Sequence, residues 1–247
     1  MGSFDRISYY DTTRMMRYLD YARVHREYSC EKVLTYINIG LDKPFYSEVY
    51  PVTDPDKLTV MVNKYHQLDS GYVPKDLEVI APCFNSGELV LRQEARIAFE
   101  IMCYTATLED IELVAISTFR SFDYQNTVYF KNMTSEVTLE EYQKVRDKVS
   151  ARPGHSEHQT GLAVDINDLE QTFEDTPAGK WLAANSYHFG FLLRYPKGKE
   201  AITGYDYEPW HFRYLGRRLA AAVYQSSLTY DEYYVRFLQS YDTPECP

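Results

Sequence analysis

Residues 154–168 read GHSEHQTGLAVDIND, and the fold turns on the second half of that stretch. After the breaker Arg152-Pro153-Gly154, residues 161–167 (GLAVDIN) form a short apolar run, which predicts a buried strand. Alternate residues of a strand share a face, so Asp165 falls on the same side as Gly161 and Ala163, with His158 in the loop just before it. A carboxylate inside an apolar strand is costly unless it is paired or ligated. The small residues beside it are expected to leave room for something bulky above them. Either this is a polar turn leading into an ordinary strand, or it is half of a metal site.

Working outward, further strands are predicted over residues 111–119 (IELVAISTF), 190–195 (GFLLRY) and 210–214 (WHFRY). Between and around them, helices are expected over residues 138–149, 178–189, 217–225 and 231–239. Residues 92–108 place Ala95, Ala98, Phe99, Met102, Cys103 and Ala106 on one face, the pattern of an amphipathic helix packed on a sheet. Strands and helices alternate without a βαβ rhythm, so the fold class is α+β with a mainly antiparallel sheet flanked by helices. Residues 12–41 carry helical spacing at Met16, Leu19 and Ala22 and again at Val33, Tyr36 and Ile37, with Ser29 placed to cap the second of two short helices. A Pro- and Asp-rich extended connection follows, and composition alone puts a boundary between residues 51 and 74.

Bulk properties narrow the function classes. The chain has 247 residues, enough for one large domain or a domain with an appendage, and a formal net charge of −10. Its lysines and arginines are scattered, so the electrostatic footprint of a nucleic-acid binder is missing. No apolar run approaches the roughly 18 residues that span a bilayer, and Met1-Gly2-Ser3-Phe4 opens no export signal, although an export or anchor segment could have preceded it. Cys30, Cys83, Cys103 and Cys246 are far apart and give neither a zinc cluster nor a disulfide framework. Twenty-four tyrosines suit half-buried sheet positions and polar grooves alike.

A second motif, EPWHFRY at residues 208–214, supplies His211 as a third candidate ligand, with Glu208 three residues before it. Positions three apart on a regular strand face opposite sides, so both reach one cavity only if Pro209 marks a bulge or the start of the strand. Two imidazoles, one carboxylate and an open fourth position suit hydrolytic zinc, which brings the pKa of a bound water to about 7 while a nearby glutamate takes its proton. Magnesium and calcium prefer more oxygen and less imidazole. A third motif, STFRSFDYQ at residues 117–125, ends a strand on Arg120, whose guanidinium can grip a carboxylate bidentately, and places Gln125 to read a peptide amide. Each motif alone has a bland alternative in a surface histidine or a salt-bridged arginine; their combination sets a metal site level with that alternative.

Taken together, the segments resemble a known family. SEHQTGLAVDI looks like the S-x-H-x-x-G-x-A-x-D signature, and YEPWHFRYLG like the E-P-W-H signature, of zinc D-alanyl-D-alanine carboxypeptidases of the VanY type. STFRSFDYQ resembles their SGYRSxxxQ segment, LLRYPKGKEAITGYDYEPWH the stretch before their last histidine, and residues 58–80 the lead-in of their domain. The resemblance thus divides the chain into an appendage, residues 1–57, and a catalytic domain, residues 58–247. It implies the fold shared by D-Ala-D-Ala metallopeptidases and the hedgehog signalling domain. It also implies Zn²⁺ held by His158, Asp165 and His211, with Glu208 as general base and then acid. Arg120 would hold the substrate's terminal carboxylate, helped by Ser156, while Gln125 and Tyr195 line the peptide groove and Trp210 walls the site. Thr118-Phe119 stands where the family usually has Gly-Tyr, and a threonine there is expected to narrow the pocket.

The activity expected is a D,D-carboxypeptidase removing D-alanine from peptidoglycan stem peptides. An L,D-carboxypeptidase trimming tetrapeptides, an endopeptidase of the same fold, and a zinc-containing module that binds wall peptides without catalysis stay open, although an intact Glu208 speaks against the last. A monomer acting outside the cell membrane, on mature stems, is the expected setting; cytoplasmic precursors are the alternative.

Overall fold

The computed structural model describes residues 4–241; Met1, Gly2, Ser3 and Cys246, discussed above, lie outside them. The centre is a four-stranded antiparallel sheet of β5 (Ala115–Ser117), β6 (Ala163–Ile166), β7 (Phe191–Leu193) and β8 (His211–Tyr214), in the order β5-β6-β8-β7. A two-residue parallel pair, β1 (Tyr50–Pro51) with β2 (His66–Gln67), and an antiparallel pair, β3 (Leu77–Val79) with β4 (Val90–Arg92), lie outside this sheet. The helices are α1 (Met15–Val24), α2 (Cys30–Ile39), α3 (Gln93–Thr107), α4 (Phe122–Phe130), α5 (Leu139–Arg146), α6 (Pro177–Asn185), α7 (Glu200–Thr203), α8 (Arg217–Ser226) and α9 (Tyr230–Tyr233), the last running into a π-helical turn at Tyr234–Leu238.

The sheet has two unlike faces because period-two alternation sorts its side chains. Val164, Ile166, Phe212 and Tyr214 join a core with Ala95, Phe99, Met102, Cys103 and Ala106 of α3. These α3 residues are the face expected from sequence, with Ala98 packed at its margin. The opposite face carries Asp165, His211 and Arg213, all buried. Burying Phe99 and Met102 of α3 contributes roughly 1.5–3 kcal/mol each, and the smaller Ala95, Cys103 and Ala106 contribute less.

Strands are shorter than the apolar runs that signal them. Residues 111–114 leave the sheet because their neighbour β6 stops at Ile166. There Asn167 turns in the left-handed region, φ 63°, and its side chain accepts from the Val114 amide at 2.7 Å. Helix α4 lacks helical periodicity in the sequence because its apolar residues lie on no single face; its local signal is Ser121, which caps it by accepting from the Tyr124 amide at 3.2 Å. Ser29 caps α2 as expected, accepting from the Lys32 amide at 3.2 Å. The division drawn at residues 57/58 is crossed by the β1–β2 pair and by a cluster joining Ile39 to Tyr65, Ile202 and Val235. Among the described residues, no helix is long and apolar enough to cross a membrane.

Candidate active site

Register brings the first two site residues together: on the paired central strands Asp165 stands directly opposite His211, so their side chains leave the same face as neighbours. His158 comes from the 3₁₀ turn Glu157–Thr160, which Ser156 caps by accepting from the His158 amide at 3.3 Å. Gly161 ends this turn at φ 66°. Glu208 arrives by a reversal at Pro209-Trp210, in which the His211 amide donates to the Glu208 carbonyl at 3.3 Å. A turn leading into the strand thus lets residues three apart reach one cavity. Arg120 follows β5, and its amide donates to the His158 carbonyl at 3.2 Å.

The candidate ligand atoms of His158, Asp165 and His211 all lie within 4.8 Å of one another, and all three residues are buried. His158 Nε2 is 3.2 Å from Asp165 Oδ2, and His211 Nδ1 is 3.0 Å from Asp165 Oδ1. His158 Nδ1 lies 2.6 Å from the Thr118 carbonyl, which only accepts, so Nδ1 carries the proton and the Nε2 lone pair is left for the cluster. Two imidazole nitrogens and one carboxylate converging in a buried space form a donor set that fits zinc. Glu208 Oε2 stands 3.8 Å from His211 Nδ1, beside the ligand atoms and not among them.

Burial works against the Asp165 carboxylate, yet His158 and His211 hold it well below the usual range. Burial, together with the charge of Arg120, pushes His158 down to about 4, the neutral form a metal requires. At His211 burial is outweighed by the neighbouring carboxylates of Asp165 and Glu157, and the pKa rises to about 9. Burial, against the pull of His211, pushes the Glu208 carboxyl up to about 8. A carboxyl of that proton affinity is suited to take a proton near neutral pH and give it back.

All nine site residues expected from sequence line one cavity of about 310 Å³: Arg120, Gln125, Ser156, His158, Asp165, Tyr195, Glu208, Trp210 and His211. Tyr195 is buried with its ring 4.9 Å from that of His211. The arginine is held on three sides, Nε donating to Ser117 Oγ at 3.0 Å, Nη1 to Gln125 Oε1 at 2.9 Å and Nη2 to Asp165 Oδ2 at 2.9 Å. Gln125, expected to read a peptide amide, is bonded to protein at both ends, since its Nε2 donates to the Ala151 carbonyl at 2.8 Å.

Two expectations are corrected. Gly161 and Ala163 do not line the cavity; Gly161 is small because of its left-handed φ and because a Cβ there would come within 2.8 Å of Leu77 Cδ2. Thr118 does not narrow the pocket, for its side chain is buried away from the cavity and only its carbonyl serves the site, through His158. Glu157, which also lines the cavity and is 1 % exposed, was missed; in sequence it is one polar residue of a loop.

Comparisons with known proteins identify the family. Residues 88–217 match the family described as VanY, D-alanyl-D-alanine carboxypeptidase. A Bacillus subtilis (strain 168) protein named "Putative carboxypeptidase YodJ" is 39% identical over 193 residues, covering 74% of this chain and 69% of that one. Among solved structures, the LdcB LD-carboxypeptidase superimposes with a TM-score of 0.69 at 39% identity, covering 76% of this chain and 90% of that chain. A vancomycin-resistance D,D-pentapeptidase VanY in complex with Zn(II) superimposes with a TM-score of 0.58 at 30% identity, covering 71% and 97%. The chain belongs to the VanY family of carboxypeptidases.

Proposed function

We propose that the protein is a zinc-dependent D,D-carboxypeptidase that removes the C-terminal D-alanine from peptidoglycan stem peptides. The observation that carries this reading is the meeting, in one cavity, of His158, Asp165 and His211 with the carboxyl of Glu208 and the guanidinium of Arg120. His158 through Nε2, His211 through Nδ1 and Asp165 would hold the ion. Zinc, when bound, supplies a Lewis acid that polarises the scissile carbonyl and acidifies water.

The protein's own groups do the rest. Glu208 takes the proton of the attacking water and passes it to the nitrogen of the departing D-alanine. Arg120 offers Nη2 to the terminal carboxylate, in competition with Asp165, while Ser117 and Gln125 keep its fork in the plane that bidentate pairing needs. Requiring a free carboxylate makes the enzyme an exopeptidase. Tyr195 and Trp210 wall the site and restrict water. Because mature stems lie outside the membrane, we place the reaction there.

A second reading, an L,D-carboxypeptidase acting on tetrapeptide stems, is favoured by the fuller likeness to the LdcB LD-carboxypeptidase. Incubating the zinc-loaded protein with penta- and tetrapeptide stems and identifying the product by mass separates them. Release of D-alanine from the pentapeptide alone supports the first reading and release from the tetrapeptide alone the second; release from neither, with zinc bound, removes both.

A further inference from the structure

Beneath the three candidate ligands lies a second set of buried charges. Glu157, the chain neighbour of His158, accepts on Oε1 from Arg194 Nε at 2.8 Å and from Arg213 Nη1 at 3.0 Å. Arg194 Nη1 donates onward to Asp231 Oδ2 at 2.6 Å, and Arg213 Nη2 donates to the carbonyls of Leu58 and Val60, each at 2.9 Å. Both arginines are at most 1 % exposed. Two carboxylates and two guanidiniums are thus matched in number, and Glu157 Oε1 is clamped between both arginines.

One end of this network is incomplete. Glu157 Oε2 and His211 Nε2 are both buried, and among the described residues neither has a hydrogen-bond partner. They face each other at 3.6 Å. Each is the complement the other lacks, since an ionised carboxylate only accepts and a protonated ring nitrogen only donates. A buried polar atom left alone costs about 1–3 kcal/mol, so small movements that close this gap are favoured.

We infer that Glu157 is a positioning residue for the zinc site: by taking the Nε2 proton of His211 it selects the tautomer whose Nδ1 lone pair faces Asp165 and His158. The inference rests on the zinc reading above. His158 is oriented in the same way from the opposite ring atom, its Nδ1 proton going to the Thr118 carbonyl. One histidine thus depends on a neutral carbonyl, the other on a carboxylate clamped by two arginines. Such outer partners fix ring orientation and raise ligand basicity, and their loss typically costs metal affinity roughly 10–100-fold.

Two experiments test the assignment. In the unaltered protein loaded with an NMR-active cadmium isotope and labelled histidine, His211 should show metal coupling at Nδ1 and a slowly exchanging proton on Nε2; coupling at Nε2 overturns it. In Glu157→Gln the amide oxygen can still serve the arginines, but its NH₂ group would face His211 Nε2 and demand the wrong tautomer. Zinc affinity, measured by competition with a chelator, should fall roughly 10–100-fold, and the visible spectrum of the cobalt-substituted protein should shift.

Unchanged affinity and spectrum overturn the assignment. Combining Glu157→Gln with Arg213→Met restores the charge balance without restoring the acceptor, so affinity should stay low; its recovery would mean that Glu157 acts through charge alone. If Glu157→Gln does not fold, the cadmium measurement decides. An unaltered protein that binds no zinc removes the zinc reading and this assignment with it.

Discussion

Two clusters of buried charge share the polar face of the sheet, and they are built on opposite rules. In the quartet of Glu157, Asp231, Arg194 and Arg213, carboxylates and guanidiniums are equal in number and pair at 2.6–3.0 Å. In the cluster above it, Asp165, Glu208, His158 and His211 crowd together with Arg120 as the one permanent cation. There the imbalance is absorbed by moved proton affinities, with Asp165 driven down and Glu208 and His211 driven up. Burial of charge alone does not mark a functional site. A buried set whose charges cancel is architecture, and one whose lone pairs converge without enough cations is a place for an ion.

Substitutions on the two sides should separate function from stability. Glu208→Ala should cost the largest factor, roughly 10²–10⁴-fold in turnover, while zinc content by elemental analysis stays at the wild-type level and the melting temperature does not fall. A variant with full turnover would sink the mechanism. Asp231→Ala strikes the balanced side, leaving Arg194 without one of its two carboxylate partners. Urea unfolding should show a loss of about 3–5 kcal/mol, and a loss under about 1 kcal/mol would show that the quartet does not hold the fold together.

Arg120→Ala tests the border between the clusters. Its effect on kcat/KM should be roughly 30–150-fold for substrates with a free C-terminal carboxylate, the worth of about 2–3 kcal/mol for a charge-assisted contact, and near unity for C-terminal amides. Equal losses on both substrate types would assign Arg120 to Asp165 alone. Smallest is Gly161→Ala, on the turn that sets His158 against β6. It should lower stability by about 1–3 kcal/mol from its left-handed backbone, read by urea unfolding, with zinc affinity retained. A neutral result would return Gly161 to the role of a simple spacer.

How much of this was legible follows from the range of each interaction. GLAVDIN and WHFRY announce strands by local patterning, and an acidic residue inside the first is suspect on energetic grounds alone. Glu208 and His211 could be placed in one cavity only conditionally, and the turn at Pro209-Trp210 met the condition. Gln125 was placed at the cavity by its motif, but its protein partners there, Arg120 and the Ala151 carbonyl, are set by packing. Glu157 was invisible because Arg194 and Arg213 stand 37 and 56 residues further along the chain.

From sequence alone, the class of fold, the three ligand candidates and a glutamate beside them could be proposed, because strand period, breaker residues and the cost of a buried carboxylate act over a few neighbouring positions. Only the tertiary structure decided which nitrogen each histidine turns to the cluster, what holds the arginine fork and which buried carboxylate is balanced. Those depend on hydrogen-bond partners brought from distant parts of the chain, and no local spacing encodes them.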